Sequence, residues 1–301
     1  MTKNIILINA LFAAGILVFL CCVEFTIRHI PNDHSIKRKA LEEQCATIET
    51  LVLGNSHALF GVNTDLIGVP ALNAANVSQT LEFDSFILDT YIEKMGALKK
   101  VLIPISYFSL YMKLSESAEA WRIKNYRIYW GYSALYPLRN NLEILNGRMG
   151  RQLKNIWDYY SGRKSAQSCS PTGFGLSYHH DLRAEDWARS GGEAATRHTI
   201  RTSQSTVDEN IGFLKDIINR CRERKIEVVI FMPPAWSSYT DRLDQGQLRN
   251  TLLVCEDLGR QDGVSFINLL KDPQFVEADF FDADHLNDLG AVKLTKLLSG
   301  K

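Results

Sequence analysis

The sequence predicts a three-layer α/β protein: a parallel sheet flanked by helices, with a membrane-spanning helix ahead of it and an aromatic-rich insert within it. Three observations point there. Short apolar runs alternate with longer stretches whose apolar residues recur three or four apart. A long apolar run opens the chain, and the alternation lapses once, over about residues 115–205, where tryptophan and tyrosine accumulate. With 301 residues and 46% hydrophobic content the chain can bury a substantial core.

The first element is the apolar run from Ile5 to Val23, whose one strongly polar member is Asn9. At about 1.5 Å per helical residue it approaches the thickness of a bilayer's hydrocarbon. A cleaved signal peptide and a buried core helix are the competing readings. The run is long for a signal peptide, no small-x-small cleavage site follows it, and Leu20 stands before Cys21 where lipidation would want a small residue. A retained single-pass anchor over residues 1–30 is the expectation. Lys3 lies on one side of it and Arg28, Lys37, Arg38 and Lys39 on the other, so charge does not favour export of the larger, C-terminal part of the chain.

Residues 31–44 are polar and charged and read as a juxtamembrane linker. The α/β domain is expected over 45–301, with strands at Thr50 to Leu53, Ala71 to Asn73, Val101 to Ile105, Val228 to Met232 and Ser265 to Asn268. Helical periodicity marks Leu81 to Met95, Val207 to Arg224, Leu248 to Gly259 and Leu286 to Leu298. The stretch 115–205 is too long for a structureless loop in a compact domain and reads as an inserted subdomain or lid. Its aromatics, among them Trp121, Tyr126, Trp130, Trp157 and Tyr178, form either the insert's own small core or part of a sugar-binding cleft.

Composition excludes several classes. Thirty-four basic residues balance thirty-four acidic ones, which gives no electrostatic reason to expect nucleic acid. Cys45, Cys169, Cys221 and Cys255 have no CxxC spacing, so no zinc site is expected, although an oxidising compartment would permit a disulfide among them. His179 and His180 lack a clear third ligand. No metal and no cofactor is expected.

The candidate site lies at two ends of the chain. Gly54-Asn55-Ser56-His57 follows the first strand, and Asp282-Ala283-Asp284-His285 precedes the last helix. Loops after the carboxyl ends of parallel strands gather at one edge, which brings the two segments together. A three-residue step lets Asp282 reach one ring nitrogen of His285, leaving the other free to take a proton from Ser56. Each residue has a plainer reading: Ser56 as a helix cap, His285 as a satisfied histidine beside a carboxylate, Asp284 as a rival orienter.

On these residues the chain resembles the SGNH, or GDSL-type, hydrolase superfamily. Gly54-Asn55-Ser56 resembles its first block with asparagine for aspartate, and Asp282-Ala283-Asp284-His285 its last. The resemblance covers about Thr50 to Leu298 apart from the insert, and implies Ser56 as nucleophile, His285 as base and Asp282 as orienter. It also implies an oxyanion hole from the amides of Ser56 and Ser78, the latter standing where the family has glycine, with Asn76 or Ser106 assisting. The third block departs: Val101 to Leu110 offers Ser106, Tyr107 and Ser109 instead of Gly-x-Asn-Asp. His57, Tyr107, Trp236 and Tyr239 fall where substrate contacts are expected. With an anchor and an insert, the pattern is similar to membrane-tethered proteins of cell-envelope polymer acylation. That implies an O-acyl esterase or acyltransferase on the extracytoplasmic side, acting on an envelope saccharide or acyl donor, with a membrane-bound acyltransferase as partner. The competing expectation is a catalytically inactive polysaccharide-binding or assembly partner.

Overall fold

A computed structural model describes residues 2–134, 136–163, 167–183 and 185–300. The helices are α1 (Thr2–Arg28), α2 (Asp33–Gln44), α3 (Ser56–Gly61), α4 (Leu81–Tyr91), α5 (Ile123–Tyr129), α6 (Met149–Tyr160), α7 (Trp187–His198), α8 (Gln204–Glu223), α9 (Ser237–Thr240), α10 (Gln245–Leu258) and α11 (Asp288–Ser299). The strands are β1 (Thr50–Val52), β2 (Ala71–Asn73), β3 (Lys100–Pro104), β4 (Glu227–Met232) and β5 (Val264–Asn268). All five expected strands form, within one residue of where their apolar runs place them.

The sheet is parallel throughout, in the order β2-β1-β3-β4-β5. Its central strands are buried along nearly their whole length, as expected where helices cover both faces. Val52 pairs with Leu102, so the exits of β1 and β3 lie side by side. Strand order reverses between these two strands, which opens a crevice at their carboxyl ends. One apolar cluster joins Val52, Ala58, Leu59, Leu102, Phe231, Leu286 and Leu294, tying the segment after β1 to the start of α11.

The chain divides into two compact units, residues 1–35 with 121–167 and residues 36–120 with 168–301. Of the stretch 115–205 expected as an insert, residues 121–167 fall in the first unit and 168–205 in the sheet-bearing one. The expected linker also differs from its composition: it contains α2, whose Leu41 is fully buried. Lys37 is buried too and donates from Nζ to the carbonyl of Ala75, so a lysine counted as a flanking charge is an interior group.

Helix α1 is long and apolar enough to cross a membrane, and its side chains from Ile5 to Phe19 are exposed. The six cysteines are free thiols, with Cys169, Cys221 and Cys255 buried.

Candidate functional site

Ser56 sits at the first position of α3 because of its neighbours on either side. Gly54 takes φ 112°, and a Cβ there would lie 2.3 Å from Cγ of Pro104. Only glycine lets the chain turn this tightly against β3. Asn55 then caps α3, its side chain accepting the amide of His57 at 3.0 Å. Because Asn55 does the capping, the hydroxyl of Ser56 is left for another partner, Nε2 of His285 at 2.9 Å.

The far end is built as compactly. Asp282 Oδ1 accepts the amides of Asp284 (3.1 Å) and His285 (2.8 Å), and Nδ1 of His285 lies 3.0 Å from the same oxygen. The carboxylate is thereby fixed by backbone before it meets the ring, and in the neutral ring it sets a tautomer with hydrogen on Nδ1 and a lone pair on Nε2 facing Ser56. Asn287 caps α11 immediately afterwards by accepting the amides of Leu289 and Gly290, which anchors the turn to the last helix.

A second carboxylate lies behind the ring. Asp284 is buried, with Oδ1 3.6 Å from Nδ1 of His285 and Oδ2 3.6 Å from Nε2 of His57 and 3.8 Å from Nδ1 of His198. Burial opposes ionisation of Asp284, but the three imidazoles outweigh it and hold the carboxyl well below the usual range. Burial also opposes charge on His285, yet the carboxylates of Asp284 and Asp282 raise its pKa to about 9. His57 and His198, where burial dominates, are pushed down, His198 to about 4. The two carboxylates thus favour a proton on His285, while burial favours the neutral form of His57 and His198.

The groups expected as oxyanion donors divide. The amides of Ser56 and Ser78 have no acceptor among the described residues, and Ser78 adopts φ 59°, the left-handed backbone that suits glycine. Asn76 and Ser106, expected to assist, have other partners. Both hydrogens of the Asn76 amide are used, on the carbonyl of Ala74 and on Oε1 of Gln79. Ser106 Oγ is buried between Nδ2 of Asn55 (3.0 Å) and Nδ1 of His57 (2.6 Å).

Three of the four expected substrate contacts are interior groups. His57 is closed in by Ser106 and Asp284. The Tyr107 hydroxyl, in a buried side chain, accepts the amide of Asp244 and bonds Thr199. Tyr239 is buried with its hydroxyl 2.9 Å from Nδ1 of His198. Trp236 is half-buried against Trp187 and Phe280. The wall of the site comes instead from Tyr178, stacked between Phe60 (3.8 Å) and Phe281 (4.0 Å) with its ring edge-on to His285. In the sequence Tyr178 is one more aromatic of the 115–205 stretch and nothing marks His198.

Among the described residues, two groups of side chains have the donor types to hold a metal ion, His57 with Asp284 and His285, and His179 with His180 and Asp288. In the second, Asp288 Oδ2 lies 2.9 Å from Nδ1 of His180 and 3.4 Å from Nε2 of His179.

No family model and no curated protein matches the chain. Among solved structures, one from Streptococcus pneumonia described as "a putative platelet activating factor" is similar at 12% identity and a TM-score of 0.46, over 97% of this chain and 98% of that one.

Proposed function

We propose that this chain is a membrane-anchored, serine-dependent O-acyl esterase or acyltransferase acting on a cell-envelope saccharide. The observation that carries the reading is the hydrogen-bonded line from Ser56 Oγ to Nε2 of His285 (2.9 Å) and from its Nδ1 to Asp282 (3.0 Å). Such a line activates a hydroxyl that is otherwise a weak nucleophile.

In this reading His285 takes the Ser56 proton as Oγ bonds to an acyl carbonyl carbon. The amides of Ser56 and Ser78 receive the negative oxygen of the tetrahedral intermediate. His285 returns the proton to the departing alcohol as the old ester bond breaks, leaving acyl-Ser56. Water or a sugar hydroxyl then gives its proton to His285 and takes the acyl group, and the proton returns to Ser56. Asp282 and Asp284 support the imidazolium that exists between these transfers.

The saccharide substrate, a membrane-bound acyltransferase partner and an extracytoplasmic position follow from the resemblance to envelope acylation proteins. The basic residues after α1 count against that side. Labelling Cys45, which is half-exposed, with an impermeant maleimide on intact cells decides it.

A fluorophosphonate probe tests the chemistry. The full chain is expected to label, and Ser56→Ala and His285→Ala to lose the label while keeping the fold. A folded wild-type chain that takes no label belongs to the non-catalytic, saccharide-binding class.

A further inference from the structure

We infer that α6 and the segment leading into it form a ledge lying in the membrane surface beside α1. Helix α6 leaves much of its apolar stripe uncovered, with Leu153, Trp157 and Tyr160 exposed and Met149 and Ile156 half-buried. Met149, Leu153, Ile156, Trp157 and Tyr160 recur at helical spacing and make one apolar stripe. In a soluble subdomain that stripe would face the core. Here Trp157 and Tyr160 are each 61% exposed, and the residue that is buried is Gln152, which donates to the carbonyl of Glu143. Leu138 and Leu145, on the chain entering α6, are exposed as well.

What covers the stripe is given by its attachment. Helices α1 and α6 pack together within one unit. Glu24, the residue after the apolar run ends at Val23, accepts the amides of Glu143 (3.0 Å) and Ile144 (2.9 Å), and Arg28 donates to the carbonyl of Asn141 (2.6 Å). The entry to α6 is therefore fixed to α1 where apolar sequence gives way to charge. In a helix that spans a bilayer, that is the boundary between hydrocarbon and headgroups.

The side chains suit this depth. Tryptophan and tyrosine favour it, with rings toward the acyl chains and polar atoms toward water. Arg151, Lys154 and Asp158 lie on the face opposite the stripe, and Arg163 stands 5.8 Å from the Trp157 ring. From 138 to 163 there are five basic residues, Arg139, Arg148, Arg151, Lys154 and Arg163, against acidic Glu143 and Asp158. Glu143 is buried and paired with Lys124, and Asp158 with Lys154. The remaining positive charge fits anionic headgroups. The ledge rests on α1 crossing a bilayer and is independent of the chemistry at Ser56.

The test uses the full chain in vesicles of phosphatidylcholine and phosphatidylglycerol carrying brominated acyl chains, read by tryptophan fluorescence. Bromine quenches the wild-type chain, and Trp157→Phe loses most of the quenchable signal, whereas Trp187→Phe, altered in the sheet-bearing unit, keeps it. A wild type and Trp157→Phe quenched alike overturn the ledge, whether a second copy or another protein covers the stripe. Release of the chain by alkaline carbonate overturns the anchor and the ledge together, while retention with Trp157 unquenched overturns the ledge alone.

Discussion

Asp284 stands 3.6 Å from His285 through one carboxylate oxygen and 3.6 Å from His57 through the other, so a single buried charge is shared between the candidate base and a histidine behind it. The two aspartates of Asp-Ala-Asp-His then have different work. Asp282 fixes the ring by hydrogen bonds, and Asp284 raises its proton affinity from behind without a bond to the ring. Asp282→Asn should slow fluorophosphonate labelling by about a thousandfold or more through loss of the required tautomer. Asp284→Asn should stay within about tenfold of wild type at high pH, since orientation survives. Equal losses in the two variants would refute this division.

The pH dependence follows from the direction in which His285 is displaced. His285 must be neutral to take a proton, and its pKa is raised to about 9, so labelling should rise with pH and level off above that value. Asp284→Asn removes one of the two carboxylate charges that raise that pKa, and its limb should move to lower pH by about one pH unit or more. Stability has the opposite trend. A histidine whose folded pKa exceeds 6.5 contributes stability that is complete below 6.5 and lost as pH rises through about 9, at roughly 1.4 kcal/mol for each pH unit between the unfolded and folded pKa. Urea midpoints across this window check the sign.

Gly54→Ala should be among the most disruptive single changes in the sheet-bearing unit. The positive φ and the approach to Pro104 act together, and a loss of about 3 kcal/mol or more is expected. Chemical denaturation measures it, and a loss below about 0.5 kcal/mol would mean that β1 and β3 part without cost.

In the other unit, Lys124 donates to both oxygens of Glu143 at 2.7 and 2.6 Å, and both side chains are buried. Lys124→Met leaves a buried carboxylate without its cation, which should cost about 3–5 kcal/mol. Adding Glu143→Gln should recover much of that loss, because Tyr129 already donates to the same group. Limited proteolysis within 121–167 reports on both variants.

Burial pushes the thiols of Cys221 and Cys255 up to about 12, so neither should react with a maleimide at neutral pH until the chain unfolds. Modification of either in the folded chain would contradict the packing around α8 and α10.

The sheet was readable because each strand is a short apolar run between polar breaks, and the pairing of Ser56 with His285 because parallel topology sends both loops to one edge. What was hidden depended on contacts distant in sequence. Asp284 looks like a spare carboxylate until His57 from α3 and His198 from the end of α7 are seen around it. Tyr107 and Tyr239 follow strands, as cleft residues do, yet their hydroxyls turn inward to Asp244, Thr199 and His198. Helix α2 reads as a stalk because only Lys37, Ala40 and Leu41 of its residues are buried, too few to leave an apolar pattern. The stripe on α6 has a clear period, but periodicity cannot say which way it faces.

The packing of α11 against α3 has a consequence for biogenesis. Ser56 leaves the ribosome early, whereas His285 and α11 emerge only after the fifth strand. Until then the serine lacks the Nε2 of His285, and it gains that partner only when the last helix packs against α3. The Ser56–His285 hydrogen bond is thus among the last contacts that the order of synthesis allows to form.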